Sequence, residues 1–162
     1  MLKKILFFAF VFNSLQASAE LKFTGPSDVC NLLANSALKG RKWVDYGDGT
    51  SGCASNYKDI GSGRPLANNL AFYATGVGQA VKQVKLVMNV NNPASASSAI
   101  KQLSQASAIL STKLLGAPLP DDVRAAISKG ATKTAVLGSG SVEVLKDVWP
   151  TGRGYEIQVI IK

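Results

Sequence analysis

The stretch WVDYGDGTSGC, Trp43 to Cys53, gathers two aspartates, three glycines and one of the chain's two cysteines. Those residue types could hold a cation, form a catalytic loop, or make a turn closed by a disulfide. A helix–loop–helix calcium site alternates oxygen ligands, places glycine sixth and ends on a bidentate glutamate twelfth. Here Gly47 stands two residues after Asp45, and no glutamate follows at the required distance. Asp and Gly are the residues that left-handed turn positions favour, so the spacing predicts a tight glycine turn.

S-x-x-K occurs three times, at Ser36–Lys39, Ser55–Lys58 and Ser98–Lys101. On a helix that spacing sets a lysine one turn from a serine nucleophile, the arrangement of penicillin-binding enzymes. Those enzymes also need S-D-N and K-T-G elements. S-D-N is absent, and Lys133-Thr134-Ala135 lacks the glycine. With 16 serines and 14 lysines, such matches are expected by chance. Gly76-Val77-Gly78 is a truncated dinucleotide fingerprint without its third glycine, and a strand pattern, not a helix, follows it. Asp121 and Asp122 could pair as acid and base, but they open a helical pattern, where carboxylates suit the positive helix end. Glu143 and Glu156 stand alone on strand patterns.

The chain has no histidine. Histidine is the commonest general acid–base residue and metal ligand. Ser-His-Asp and Cys-His catalysis are therefore excluded, as are histidine-containing zinc sites, and two cysteines cannot complete a four-thiolate site. No catalytic residue, metal site or cofactor is expected. A hydrolase built on two facing carboxyls is the one catalytic alternative kept open.

Cys30 and Cys53 are an even pair. In an exported protein they are expected to form a disulfide that closes a loop of about 24 residues. Inside that loop, Arg41, Lys42, Trp43 and Tyr46 form the one cluster that mixes basic and aromatic side chains. They are the candidate partner-binding residues.

The elements that would position these groups can be read from periodicity. Pro26, Ser27 and Asp28 carry helix-start chemistry, and Val29, Leu32, Leu33 and Leu38 make an apolar stripe. A helix is expected over about 26–39, followed by a flexible glycine loop over 41–52. Strands are expected over 53–60, 69–75 and 81–90. The last alternates, with Val84, Leu86, Met88 and Val90 on one side and Lys85, Val87 and Asn89 on the other. GVGQ between the last two reads as a hairpin turn. Ala94–Leu115 recurs at three and four residues and predicts a long helix. Pro118–Gly130 predicts a second one. Thr132–Trp149, bent or broken at Gly138–Gly140, and Tyr155–Ile161 read as closing strands. Together these predict an α+β fold: an antiparallel sheet of about four to five strands, helices packed on one face, and one disulfide.

Residues 1–19 read differently. MLKK is basic, Ile5–Phe12 is apolar but far short of the roughly 20 residues that span a bilayer, and Ala17-Ser18-Ala19 is a small-x-small site. The pattern is that of a cleaved secretory signal peptide, cut after Ala19. It leaves one α+β domain, 20–162, in a bacterial periplasm or outside the cell, with no transmembrane segment. The full chain carries 18 basic and 10 acidic residues; without Lys3 and Lys4 the balance is 16 against 10, or +6. That charge favours acidic partners.

The expected function is a small exported binding protein without catalysis, acting on a protein partner that is acidic at the contact. In layout it looks like small periplasmic inhibitors and immunity proteins. The second expectation is a cell-envelope or secretion-system accessory protein that binds an assembly partner or an anionic polymer. Nucleic acid and anionic glycan are less favoured, because no run of basic residues is denser than Arg41-Lys42.

Overall fold

A computed structural model describes residues 20–63 and 66–162. The expected signal peptide, 1–19, lies outside them. The fold is α+β: the described residues form three α-helices and one antiparallel sheet of eight strands, with the disulfide Cys30–Cys53 formed. The sheet is larger than the four to five strands expected from sequence.

In chain order the elements are α1 (Pro26–Asn31), β1 (Val44–Asp45), β2 (Ser51–Ala54), β3 (Lys58–Ile60), β4 (Asn68–Val77), β5 (Ala80–Val90), α2 (Ala96–Leu110), α3 (Asp121–Lys129), β6 (Lys133–Leu137), β7 (Gly140–Val148) and β8 (Tyr155–Ile161). The strands run β1-β2-β4-β5-β8-β7-β6, and β3 shares an edge of β4 with β2. Two hairpin systems therefore meet at β5 and β8, and the helices α2 and α3 lie in the connection between them.

The alternation read in β5 is the one that builds the core. Val84, Leu86, Met88 and Val90 are fully buried. Register lines them up across the sheet: Phe72, Leu86, Val159 and Val144 form one row, and Ala74, Val84, Ile161 and Val142 the next. This face shares its core with Ala99, Leu103, Ala106 and Leu110 of α2, Val123 and Ile127 of α3, and Val29 of α1. The opposite face carries Asn69, Tyr73, Lys85, Asn89, Gln158 and Glu143, all half-buried. Ala71 and Val87, register partners at 0% and 6% exposure, are buried members of that side.

GVGQ is a turn, as its composition indicates. Val77 pairs with Ala80 around Gly78 and Gln79, and Gly78 has φ +55°. Its partner Gly76 sits at a register shift, where a Cβ would lie 2.0 Å from the Ala80 carbonyl oxygen. Both glycines thus answer to backbone geometry. The break at Gly138–Gly140 is likewise the turn between β6 and β7.

Three expectations are corrected. The helix expected over 26–39 is α1 alone, followed by a 3₁₀ turn at Ala34–Ser36 and a left-handed residue at Ala37, φ 58°. Its stripe still reaches the core, since Val29, Leu33 and Leu38 are buried. The strand expected over 53–60 is two strands. At the break the Ser55 backbone N–H donates to the Phe72 carbonyl, and the Phe72 N–H donates to the Ser55 hydroxyl at 3.0 Å in place of a ladder bond. The glycine loop is itself a hairpin, with β1 pairing β2.

Candidate functional site: a basic groove against the disulfide

The segment 39–43 leaves α1 and crosses to the start of the sheet, pinned at several points. Gly40 N–H donates to the Cys30 carbonyl at 2.7 Å, and Arg41 N–H donates to the Ala54 carbonyl at 2.9 Å. The Trp43 indole Nε1 donates to the Gly78 carbonyl at 2.8 Å, which ties the segment to the β4–β5 turn. Gly40 lies directly on the disulfide: a Cβ there would sit 2.9 Å from Cys53 Sγ and 3.0 Å from Cys30 Cβ. A side chain would not fit, so the segment can approach the bridge this closely only as glycine.

The result is a groove of about 600 Å³ between α1 and this segment. Asn31, Lys39, Arg41, Lys42, Trp43 and Gln79 supply its side-chain chemistry. Lys39, Arg41 and Lys42 are exposed, Trp43 is half-buried, and no carboxylate is among the lining residues. None of the three cations is in an ion pair among the described residues; Arg41 Nε reaches only the Ala54 carbonyl, at 3.4 Å. An aromatic body flanked by unpaired cations on a fixed backbone suits an anionic, partly apolar ligand surface.

Of the four residues singled out from sequence, the structure brings Arg41, Lys42 and Trp43 into this groove. Tyr46 is elsewhere. It is 56% exposed and its hydroxyl lies over Gly52, where a Cβ would be 2.7 Å away. Lys39, Asn31 and Gln79 belong to the groove and were not singled out. Lys39 had a signal, as the lysine of an S-x-x-K match; Gln79 enters only through the hairpin turn.

The acidic loop is engaged with itself. Asp45 Oδ1 accepts the Gly47 N–H at 2.8 Å. Asp48 Oδ1 accepts the Thr50 N–H at 2.9 Å and the Thr50 hydroxyl at 2.6 Å, and these bonds hold the Asp48 carboxyl below its ordinary pKa. Gly47 and Gly49 take positive φ. These are the bonds of a side-chain-capped turn. Among the described residues no three His, Cys, Asp or Glu side chains cluster as metal ligands would.

Two of the S-x-x-K serines bond to backbone, not to lysine. Ser55 donates to the Asn56 carbonyl at 2.8 Å and Ser98 to the Ser95 carbonyl at 3.3 Å. Asp121 and Asp122 open α3, with Asp121 paired to Arg124 and Asp122 to Lys133 at 2.7 Å.

Fold and groove together define a disulfide-tied α+β protein with a basic, tryptophan-bearing groove. No family model, no curated protein and no solved structure matches the chain.

Proposed function

We propose that this chain is a small exported binding protein without catalysis, which engages a protein partner through an acidic contact, as an inhibitor or immunity-type protein would. The observation that carries the reading is the groove: Lys39, Arg41 and Lys42 stand around Trp43 with no carboxylate among the lining residues. The basic, apolar and small-residue pattern of residues 1–19 supports export to a periplasm or beyond, and a disulfide suits that compartment. The absence of histidine from the sequence supports a non-catalytic role. An assembly role would be favoured by an apolar patch on α2, but four of its five exposed positions, Ser97, Ser98, Lys101 and Gln105, are polar, and Ile109 alone is apolar.

The test is affinity capture by the chain 20–162 from lysate of its source and of neighbouring species, repeated with Arg41→Glu/Lys42→Glu. A stoichiometric acidic protein should be held by the parent, released by salt and lost by the double variant. Capture that neither salt nor the charge reversal changes would overturn the reading.

A further inference from the structure

A second cleft lies on the other side of the same segment. Leu38 lines it, while the next residue, Lys39, lines the groove. The cleft holds about 540 Å³ between α2, β3 and β4. Its chemistry comes from Lys58 of β3 and from Ser98, Lys101, Gln102 and Gln105, which fall on one face of α2 at helical spacing. Leu38 and Leu70, both 1% exposed, supply apolar wall.

Three features of this cleft bear on a ligand. Lys58 Nζ donates to the Ser36 carbonyl at 3.0 Å, so one ammonium is held in place with two donors to spare. Lys101 is exposed, neither lysine has an ion-pair partner among the described residues, and no carboxylate is among the lining residues. Asp59 follows Lys58 in the chain, but the pleat turns it to the opposite face, where it pairs with Asn69. Finally, Gln102 Oε1 is buried and accepts no hydrogen bond among the described residues. A buried acceptor without a donor is costly. A ligand that brings both an anion and an N–H would satisfy the two lysines and this oxygen together, with a small rotation of the Gln102 amide.

We infer that this cleft receives an acidic side chain of a polypeptide: the carboxylate between Lys58 and Lys101, the methylenes on Leu38 and Leu70, and a neighbouring peptide N–H on Gln102. Sulfate and a phosphomonoester dianion offer acceptors only and leave Gln102 unmet; hydrogen phosphate has one O–H but no methylenes to lie on Leu38 and Leu70. A uronate polymer has hydroxyl donors, but the cleft has no aromatic face against which a sugar ring could lie. The inference deepens the binding-protein reading and rests on it, adding a second point of contact for an acidic partner with its own residues.

The test uses a capped oligoglutamate peptide and the ¹⁵N-labelled chain 20–162. Amide shifts are expected at Ser36–Leu38, Lys58 and Ser98–Ala106, with the Gln102 side-chain amide among them. Lys101→Glu, on the exposed surface of α2, should weaken the response at least about tenfold by the loss and reversal of one charge in a two-lysine site. Gln102→Met should weaken it less, and Lys113→Glu, which lines neither cleft, should leave it unchanged. An equal response to glutarate, inorganic phosphate or a uronate polymer overturns the assignment to a polypeptide. No shift at these residues with any probe, or shifts that survive Lys101→Glu, overturns the site. Because the peptide is synthetic, the result is separate from partner capture: the cleft can fail while the groove still holds a partner lost on Arg41→Glu/Lys42→Glu, and the reverse.

Discussion

The disulfide offers the most direct quantitative prediction. Cys30 and Cys53 are 23 apart in sequence, so the bridge closes a loop of 24 residues. In the chain-entropy account, a closed loop of that length removes freedom from the unfolded chain worth about 3 kcal/mol at 25 °C. Both cysteines are buried, at 4% and 3% exposure, and a free thiol behaves as a small apolar group. Reduction therefore leaves no stranded polar atom, and the loop term should dominate. The assay is urea unfolding of the chain 20–162 with and without reductant. With a slope of roughly 2 kcal/mol per molar, typical for a domain of this size, the midpoint should fall by about 1.5 M. Cys30→Ala/Cys53→Ala should reproduce the reduced curve to within the added cost of the two small cavities. A single domain has about 5–15 kcal/mol in hand, so the reduced protein should still fold at 25 °C. A loss below about 1 kcal/mol would refute the reasoning, because it would mean that the unfolded chain gains no freedom when the loop opens.

Three further outcomes follow from particular contacts. Gly40→Ala should cost about 1–3 kcal/mol in the same urea assay, since its Cβ meets two atoms of the disulfide and the Cys30 carbonyl oxygen at 2.9–3.0 Å; no change in midpoint would show that the segment does not lie on the bridge. The Asp122 carboxyl is held below its ordinary 3.8 first by the hydrogen bond from Lys133. A lowered folded-state value means stability present above about pH 4 and lost as pH falls through that lowered value. Asp122→Asn should thus be destabilising at pH 7 and neutral in strong acid, and a deficit that grows as pH falls would contradict the pairing. The Tyr73 phenol is pushed up to about 12, first by burial and then by the Tyr57 hydroxyl at 3.2 Å. The unfolded chain ionises this group near pH 10, so the folded state holds a proton that the unfolded state loses. Stability should fall from about pH 10 to about pH 12, and Tyr73→Phe should flatten that fall; an unchanged alkaline profile would refute it.

What could be read from the sequence followed how local its cause was. The faces of β5 were legible because alternation is a property of the strand itself: the four residues assigned inward are all fully buried. α2 was legible from its own period as a long helix reaching Leu115 and stopped at Gly116, but the wide turn at Ser111–Leu115 was not. The β1–β2 hairpin was not. Its first strand is two residues long and its turn is centred on Gly47-Asp48-Gly49, so local composition speaks for a loop, while β2 is held by pairing with β4, distant in sequence, alongside it in the sheet. The break between β2 and β3 has no glycine or proline to mark it, because the Ser55 hydroxyl does the interrupting. The end of α1 was missed for a similar reason. Nothing in Leu32-Leu33-Ala34 forbids a helix; the reversal comes from Ala37 and from the need to bring Gly40 back to Cys30. The groove was half-legible because Arg41, Lys42 and Trp43 are consecutive. Lys58 and Lys101 meet only once β3 and α2 pack across β4, and no local pattern announces that.

The same contrast bears on why the charge matters. A net charge of +6 over residues 20–162, spread evenly, would do little beyond aiding solubility. Here the cations differ in what they face. Arg124, Lys133 and Lys162 each pair with a carboxylate, and Lys85 and Lys146 lie over the rings of Tyr73 and Tyr155. Ten others have no ion-pair partner among the described residues, and five of these, Lys39, Arg41, Lys42, Lys58 and Lys101, line the two clefts flanking 36–43. Of the nearby aspartates, Asp45 and Asp48 are engaged by their own turn and Asp59 is turned away by the pleat, while Asp28 stands exposed on α1 beside Gly25. Surface pairs contribute little to stability, so leaving these five unpaired costs the fold little while keeping their charge available. The segment between the clefts is meanwhile pinned by the disulfide, by Gly40 and by Trp43. Binding would then lose little backbone entropy on that segment, and preorganisation of this kind is where modest contact areas gain affinity.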